Sequence, residues 1–209
     1  MARRITGHSV GILAIRNGKG SEREVLEFSY TLKTERGVPW PSVRVPMETG
    51  ERGESITDTV TRAFEEEIIL KGSPFTFEFV KRGAEVLPVF FVLGQDEKSE
   101  NREDRHLKAF FLITFEGILR DVIYEEAGPR GLEIHGKPMF TELIALFKKM
   151  ERIGKIRAHQ DAVLCAVEPL CQDKGVAMQY ASVLAVSEKP IHSAEDMAMV
   201  RAYLAEHLK

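Results

Sequence analysis

Cysteine is scarce in this sequence, which contains only Cys165 and Cys171. Neither residue belongs to a C-x-x-C pair or to a Cys/His group with the spacing of a zinc site. The sequence therefore gives no support for bound zinc. We expect both side chains to be buried, reduced thiols within a helical region.

Long apolar runs are also missing. The longest one, VLPVFFVLG, contains a proline and is far shorter than the roughly 20 residues that a membrane-spanning helix requires. We therefore expect a soluble, cytoplasmic protein that has no membrane partner.

An excess of positive charge is the third absence, because 29 basic residues face 32 acidic ones. Without a large positive field, general binding to nucleic-acid phosphates is not expected. The patterns G-x-S-x-G, G-x-x-x-x-G-K-[ST] and G-x-G-x-x-G are absent from the sequence as well. Serine-hydrolase, P-loop and dinucleotide-binding chemistry therefore have no support.

The first two thirds of the chain is rich in β-branched and aromatic residues that predict strands. HSVGILAIRN and EVLEFSYTL predict a hairpin, and the proline-containing VPWPSVRVPM predicts an edge strand or a strand that enters a loop. Further strands are predicted in FTFEFVKRG, VLPVFFVLG and HLKAFFLITFEG, and the charged GQDEKSENREDR predicts a solvated loop.

Helical spacing of apolar residues begins near residue 138, where Pro138 suits a first helical turn. Two more helices are predicted, in AHQDAVLCAVEPL and in SAEDMAMVRAYLAEHLK, the latter with Ser193 and Asp196 as an N-cap pair. Strands around one central helix, followed by helices, indicate an α+β or α/β sandwich. We divide the chain into a domain at 5–170 and a C-terminal helical extension at 171–209 packed on it. The apolar positions of the last helix could also meet a second copy, so a homodimer is predicted: Met197, Val200, Leu204 and Leu208.

The most informative segment is VPMETGERGESITDTVTRAFEEEIILKG, at 45–72. Ser55 followed by Asp58 predicts a helix start, and Val60, Phe64 and Ile68 form an apolar stripe for docking on a sheet. Gly72 is the predicted helix end.

The glutamates of this helix admit two interpretations. A solvated acidic face is the simpler one, with Arg62 and Glu66 forming an ordinary i, i+4 pair. Glu67, however, falls beside the apolar stripe, where a carboxylate is costly unless it is paired or bound to metal. Clustered carboxylates favour a hard cation such as Mg²⁺, which takes oxygen ligands.

This segment resembles the Nudix hydrolase motif, G-x5-E-x7-R-E-U-x-E-E-x-G-U, where U is a bulky aliphatic residue. With Glu54 as the first glutamate, Arg62 falls on the arginine, and Glu66 and Glu67 fall on the paired glutamates. The register needs no gap, and the matched segment lies between a predicted strand and a helix. Other positions agree in residue type: Pro46, Glu51, Gly53, Ser55, Phe64 and Leu70.

The resemblance implies a Nudix-type α/β/α sandwich with a mixed sheet. It also implies Mg²⁺- or Mn²⁺-dependent attack of water on a nucleoside diphosphate linked to another moiety. Glu54, Glu66 and Glu67 would be metal ligands, and Arg62 would fix the carboxylates. The catalytic set implied is Glu67, Glu66 and Arg62.

The sequence departs from the motif at three positions, with Glu48 and Ile69 in place of glycines and Ala63 in place of a glutamate. Ala63 is the serious change, because it removes one of three carboxylates expected on one helix face. Glu65 cannot replace it, since two residues along an α-helix rotate by about 200°. Water could fill the position, because Mg²⁺ commonly retains several waters.

Three alternatives therefore stay open: a working hydrolase, a non-catalytic Nudix domain that binds a nucleotide or protein partner, and a purely structural acidic helix. Glu125 and Glu126 are expected in a loop after the last strand, where Nudix proteins often place a further carboxylate. A solvated loop pair is the alternative for these two residues.

Overall fold

A computed structural model describes residues 3–17, 23–33, 40–128, 131–153, 157–170 and 192–208. Within these ranges the chain forms ten strands in one mixed sheet. The strands are β1 Arg4–Asn17, β2 Arg23–Lys33, β3 Trp40–Arg44, β4 Met47–Thr49, β5 Phe75–Phe79, β6 Phe90–Gln95, β7 Asp104–Gly117, β8 Tyr124–Gly128, β9 Gly131–His135 and β10 Met139–Glu142.

Strand β1 is the centre of the sheet. It runs parallel to β7 along almost its whole length and antiparallel to β2 and β4. The long strand β2 pairs with β1 and β10 through its first half and with β3 and β9 through its second half. Strand β8 extends this second part beyond β9. The hairpin predicted from HSVGILAIRN and EVLEFSYTL is confirmed.

The helices of the described ranges are α1 Ile56–Ala63, α2 Leu143–Ile153, α3 Arg157–Leu170 and α4 Ala194–His207, and α1 continues into a π-helical turn at Phe64–Ile68. None of them is both long and apolar enough to cross a membrane.

The helices cover both faces of the sheet. Successive side chains of β1 point to opposite faces, so the clusters that they join show which helices lie on each face. Ile12 and Ala14 belong to one buried cluster, which also holds residues of α1 and α4. Leu13 and Ile15 belong to a second cluster with residues of α2 and α3. The predicted α/β/α sandwich with a mixed sheet is confirmed by these three layers.

The start of the helix predicted from residue 138 is wrong. Met139–Glu142 form β10, which pairs with Glu24–Glu27 of β2, and α2 begins only at Leu143. Hydrogen bonding to the open side of β2 outweighs the helical spacing of Met139, which is 51% exposed. In α2 the apolar residues Leu143, Leu146, Phe147 and Met150 are buried.

The last helix packs on its own domain. Ser193 caps it through a reciprocal capping box with Asp196, as predicted. Val200 and Leu204 are buried in the cluster that contains α1. The boundary at 171 remains a prediction, since 171–191 lie outside the described residues, and the homodimer also remains a prediction. Cys165 is half-buried, and Cys171 lies outside the described ranges.

Candidate functional site

Helix α1 is positioned by its cap and its apolar stripe. Ser55 Oγ accepts a hydrogen bond from the Asp58 backbone N–H at 3.0 Å, which satisfies one of the free donors of the first turn. Val60, Phe64 and Ile68 are fully buried against the sheet. Both predictions from the local pattern are confirmed, and the opposite side of the helix is left facing outward.

The helix ends in a π-helical turn, with the Ile69 N–H donating to the Phe64 carbonyl at 2.9 Å. Ile69 is already extended, with φ −94° and ψ 158°. The predicted end at Gly72 is therefore wrong. Gly72, with φ +81°, sits in the following turn, where the Ser73 N–H donates to the Leu70 carbonyl at 2.9 Å. Such π turns are frequent at functional sites, because they widen the helix locally.

Arg62 is enclosed by acceptors. Nη1 lies 3.0 Å from Glu48 Oε1, and Nη2 lies 3.0 Å from Glu54 Oε2. Nε donates to Glu54 Oε1 at 3.1 Å, and Nη2 also donates to the Thr49 carbonyl at 2.8 Å. Glu66 Oε2 lies further off, at 3.8 Å. Glu48, a departure from the motif, was not expected from the sequence to join this ion-pair network.

Both carboxylate oxygens of Glu54 bind Arg62 in this network. The hydrogen bond from Arg62 lowers the pKa of Glu54 to about 2, and Glu54 Oε2 also accepts from the Glu51 backbone N–H at 2.7 Å. In this arrangement Glu54 holds Arg62 and is not part of the cleft wall. Its role as a metal ligand stays a prediction.

An open cleft of about 1250 Å³ lies beside the helix end. Glu66 and Glu67, the paired glutamates of the motif resemblance, line it together with Arg62. The wall also includes charged and aromatic residues from elsewhere in the chain: Glu48, Glu65, Lys71, Phe75, Arg120, Tyr124, Glu125 and Glu126. Leu70 and Val122 add exposed apolar surface at the same cleft.

Glu67 is the buried carboxyl group of this cleft, with only 8% of its surface exposed. Burial raises its pKa to about 8; Glu48 adds to the shift, and Arg120 and Arg44 oppose it. Among the described residues, its Oε2 has no hydrogen-bond partner. His135 Nδ1 lies 3.9 Å from Oε1, but burial lowers the His135 pKa to about 4. Both pKa shifts disfavour the charged forms, so burial works against an ion pair between these two groups.

A stack of planar groups lies under the cleft, and none of its members was singled out from the sequence. The Arg120 guanidinium lies 4.0 Å from the centroid of the Tyr124 ring. Tyr124 in turn stacks on His135, with ring centroids 4.3 Å apart and planes 18° apart. Burial raises the pKa of Tyr124 above its usual range. No short motif marks these residues, because only the pairing of distant segments brings them to the helix.

Glu125 and Glu126 occupy strand β8 and not the predicted loop. They pair with Ile134 and Glu133 of β9. Both are exposed, and both line the cleft. The expected loop is wrong because this segment finds an antiparallel partner that sequence periodicity did not reveal. Their position at the cleft is compatible with the further carboxylate that the resemblance implied.

Ala63 is fully buried, in the same cluster as Val60 and Phe64. It does not line the cleft. The position where the motif has its first helix glutamate is therefore filled by apolar packing.

Metal binding can be tested against the donor groups present. Within the described residues, no three side chains of the His, Cys, Asp and Glu type are grouped closely enough to hold one ion. The buried, unpartnered Oε2 of Glu67 nevertheless fits a cation, because an ionised carboxylate in that place needs a positive partner. The donor set that fits is thus small, with Glu67 and Glu66 on one helix and water completing the coordination.

No family model and no curated protein matches this chain. Similar solved structures include a Nudix hydrolase from Nitrosomonas europaea, which is 12% identical with a TM-score of 0.46, over 81% of this chain and 94% of that one. A possible asymmetric diadenosine tetraphosphate hydrolase from Jonesia denitrificans is 10% identical with a TM-score of 0.44, over 86% and 97%.

The dihydroneopterin triphosphate pyrophosphohydrolase of E. coli is 14% identical with a TM-score of 0.39, over 78% of this chain and 94% of that one. One of these three structures thus carries the name of the family whose motif the sequence resembles.

Proposed function

We propose that this protein is a Nudix-type hydrolase that uses Mg²⁺ or Mn²⁺ to cleave a nucleoside diphosphate linked to another moiety. The observation that carries the proposal is the cleft at the end of the motif helix. It combines the carboxylates of Glu66 and Glu67 with the guanidinium of Arg120, in a space open to a small molecule.

The charge balance of the cleft supports a bound cation. Glu48, Glu66 and Glu126 line it together with Glu67, which gives up its proton when a cation binds, and a diphosphate adds further negative charge. Without a cation, these groups would repel the substrate. A divalent cation, when bound, neutralises charge on the diphosphate and lowers the pKa of the attacking water.

Individual roles follow from the contacts of each side chain. Glu67, with its unpartnered Oε2, is the principal metal ligand and Glu66 the second. Arg62 holds Glu48 and Glu54, which fixes the loop that precedes the helix. Arg62 therefore positions the site and does not touch the substrate. Glu126 is the candidate for orienting water, since it faces the same cleft.

The test is hydrolysis of a panel of diphosphate compounds in the presence of Mg²⁺ or Mn²⁺. Diadenosine tetraphosphate and dihydroneopterin triphosphate, named for two of the similar structures, belong in the panel beside nucleoside diphosphate sugars. We expect turnover of at least one compound, loss of turnover with EDTA, and recovery when Mn²⁺ is added in excess. Turnover that survives EDTA would contradict the metal-dependent mechanism.

A second candidate is a non-catalytic Nudix domain that binds a nucleotide or a protein partner. It is favoured by one observation, the burial of Ala63 where the motif has a metal-binding glutamate. This candidate predicts that nucleotide raises the melting temperature while no product forms with either metal. If neither metal nor nucleotide shifts the melting temperature, the acidic helix has a structural role only.

A further inference from the structure

Arg120 is anchored at the end of the motif helix by its backbone and by one nitrogen of its side chain. Its backbone N–H donates to the Ile68 carbonyl at 3.0 Å. Its Nη1 donates to the Glu66 carbonyl at 3.1 Å, across 54 positions of sequence. These carbonyls belong to the last helical turn, where backbone carbonyls lack intrahelical N–H donors and a positive charge is favoured. The guanidinium is thus held in a fixed place beside Glu66 and Glu67.

Within the described part of the chain, the other two nitrogens of Arg120 have no acceptor. Nε and Nη2 are both buried and make no hydrogen bond, and the residue is only 7% exposed. A buried charged donor without an acceptor is costly. Nε and Nη2 form one edge of the guanidinium plane, and this edge donates two parallel hydrogen bonds to a carboxylate or a phosphate.

The surroundings decide which anion this edge suits. Arg120 lines the cleft, and its ring partner Tyr124 covers one face of the guanidinium at 4.0 Å. Glu67 is near enough for Arg120 to lower its pKa, yet it makes no hydrogen bond to the free edge. The described residues therefore supply no acceptor for this edge of Arg120.

The other arginine of the cleft is already engaged by acceptors. Arg62 uses its nitrogens for Glu48, Glu54 and the Thr49 carbonyl. Of the two guanidinium groups in the cleft wall, Arg120 therefore has the donors left for an anion.

We propose that the Nε and Nη2 edge of Arg120 binds a phosphate group of the substrate diphosphate. This inference rests on the proposed function, because it assigns the anion subsite of the same cleft. Arg120 binds two phosphate oxygens side by side, and its bond to the Glu66 carbonyl sets the distance between that phosphate and the metal-binding glutamates.

The experiment is calorimetric titration with inorganic pyrophosphate in the presence of Mg²⁺. It compares the natural protein with the variants Arg120→Lys and Arg120→Gln. We expect pyrophosphate binding by the natural protein and an affinity about tenfold or more weaker in Arg120→Gln. Arg120→Lys keeps the charge but not the paired donors, so its affinity lies between the two.

The matched control is Arg16→Gln. Arg16 lies 4.0 Å over the Phe140 ring and pairs with Glu24 at 2.6 Å, and it is not part of the cleft wall. Its substitution removes a comparable cation and ring contact and leaves the pyrophosphate affinity unchanged. Thermal unfolding of each variant shows whether it is folded.

A second measurement uses the natural protein and therefore does not depend on whether Arg120→Gln folds. The Nε–H resonance of Arg120 in a ¹H–¹⁵N spectrum, assigned by its absence in Arg120→Lys, shifts on addition of pyrophosphate. The Nε–H of Arg62, which already donates to Glu54, stays in place. A merely structural role for Arg120 would leave its resonance unmoved as well.

An unchanged affinity in both Arg120 variants, or a natural protein that does not bind pyrophosphate with Mg²⁺, overturns the assignment. Neither result depends on turnover. A protein that binds pyrophosphate through Arg120 but hydrolyses nothing would therefore contradict the proposed hydrolase and not this subsite.

Discussion

Arg62 and Arg120 line the same cleft, but their surroundings differ. Arg62 is surrounded by carboxylates and a carbonyl, and these acceptors occupy its side-chain nitrogens. Arg120 has one nitrogen bonded and two buried without acceptors. The first arginine completes the fold of the loop before the helix. The second leaves part of its binding capacity for another molecule.

The carboxylates follow the same division. Glu54, bonded to Arg62, has a pKa lowered to about 2. Glu67, which has no bonded cation, has a pKa raised by burial to about 8. A satisfied network stabilises the protein as it stands, whereas an unsatisfied one is costly until a ligand completes it. Most of the following predictions change either the Arg62 and Glu54 network or the group around Glu67 and Arg120.

Ala63→Glu adds a third carboxylate beside Glu66 and Glu67, the group of residues that lacks a bound cation. Ala63 is fully buried, so we expect a loss of about 3 kcal/mol in the free energy of unfolding without metal. Mn²⁺ should restore part of that loss if the new carboxylate reaches the cation. The measurement is urea unfolding with and without Mn²⁺. Ala63→Gln is the control of equal size, and Mn²⁺ should not rescue it; equal rescue of both variants would contradict this interpretation.

Glu67→Gln removes the carboxylate that we propose as the principal metal ligand of the cleft. Turnover of a substrate found in the panel should fall by about 100-fold or more, because the amide is a poor ligand for a hard cation. The apparent affinity for Mn²⁺ should fall with it. Steady-state kinetics at several Mn²⁺ concentrations measure both. Glu78→Gln, on the exposed side of β5, is the control, and equal rates in the two variants would exclude Glu67 as a metal ligand.

Arg62→Met removes the ion pairs of Arg62 with Glu48 and Glu54. It leaves Glu48 and Glu54 close together without their cation, and the Glu54 side chain is only 14% exposed. We expect a loss of about 2 kcal/mol in the free energy of unfolding. Urea unfolding provides the measurement. A stability equal to that of the natural protein would mean that the Arg62 network is only a surface feature.

Arg62→Met also separates positioning from binding. The affinity for pyrophosphate with Mg²⁺ should change far less than in Arg120→Gln, because the nitrogens of Arg62 are already engaged by Glu48 and Glu54. A larger loss in Arg62→Met would reverse the roles assigned to the two arginines.

Acidification tests a second satisfied group, His8, whose Nδ1 lies 2.9 Å from Tyr203 Oη and whose Nε2 lies 2.9 Å from Thr59 Oγ1. Burial lowers its pKa from 6.5 to about 4. Between these values the unfolded chain binds more protons, so the stability is complete above pH 6.5 and is lost as pH falls towards 4. The charged or titratable groups that act on His8 are His207, Glu54, His106 and Arg62.

We expect His8 to account for roughly 1 to 2 kcal/mol of the stability lost between pH 6.5 and pH 5. His8→Gln should therefore show a shallower dependence of unfolding free energy on pH. Urea unfolding at several pH values measures the two slopes. Parallel curves for the natural protein and His8→Gln would show that other groups dominate.

The parts that the sequence predicted are those determined by neighbours along the chain. Ser55 and Asp58 are three positions apart, and the stripe from Val60 to Ile68 follows the helical period, so cap and buried face could be inferred directly. Strand β1 itself was similarly predicted, from its β-branched and apolar residues.

The parts that were missed depend on contacts between distant segments. Arg120 meets the Glu66 carbonyl across 54 positions, and Glu125 becomes part of a strand only because β9 lies beside it. No local period or short motif encodes such pairings. The π-helical turn after Ala63 was missed for a related reason, since it reflects how the helix end meets the segment at 118–120.

The most direct measurement is a crystal structure with Mn²⁺ and pyrophosphate, with the metal located by its anomalous signal. We predict a metal peak within bonding distance of Glu67 Oε2 and a phosphate group on the Nε and Nη2 edge of Arg120. A metal bound instead among Glu48, Glu54 and Arg62, or a cleft that binds neither ion, would contradict the division between satisfied and unsatisfied groups.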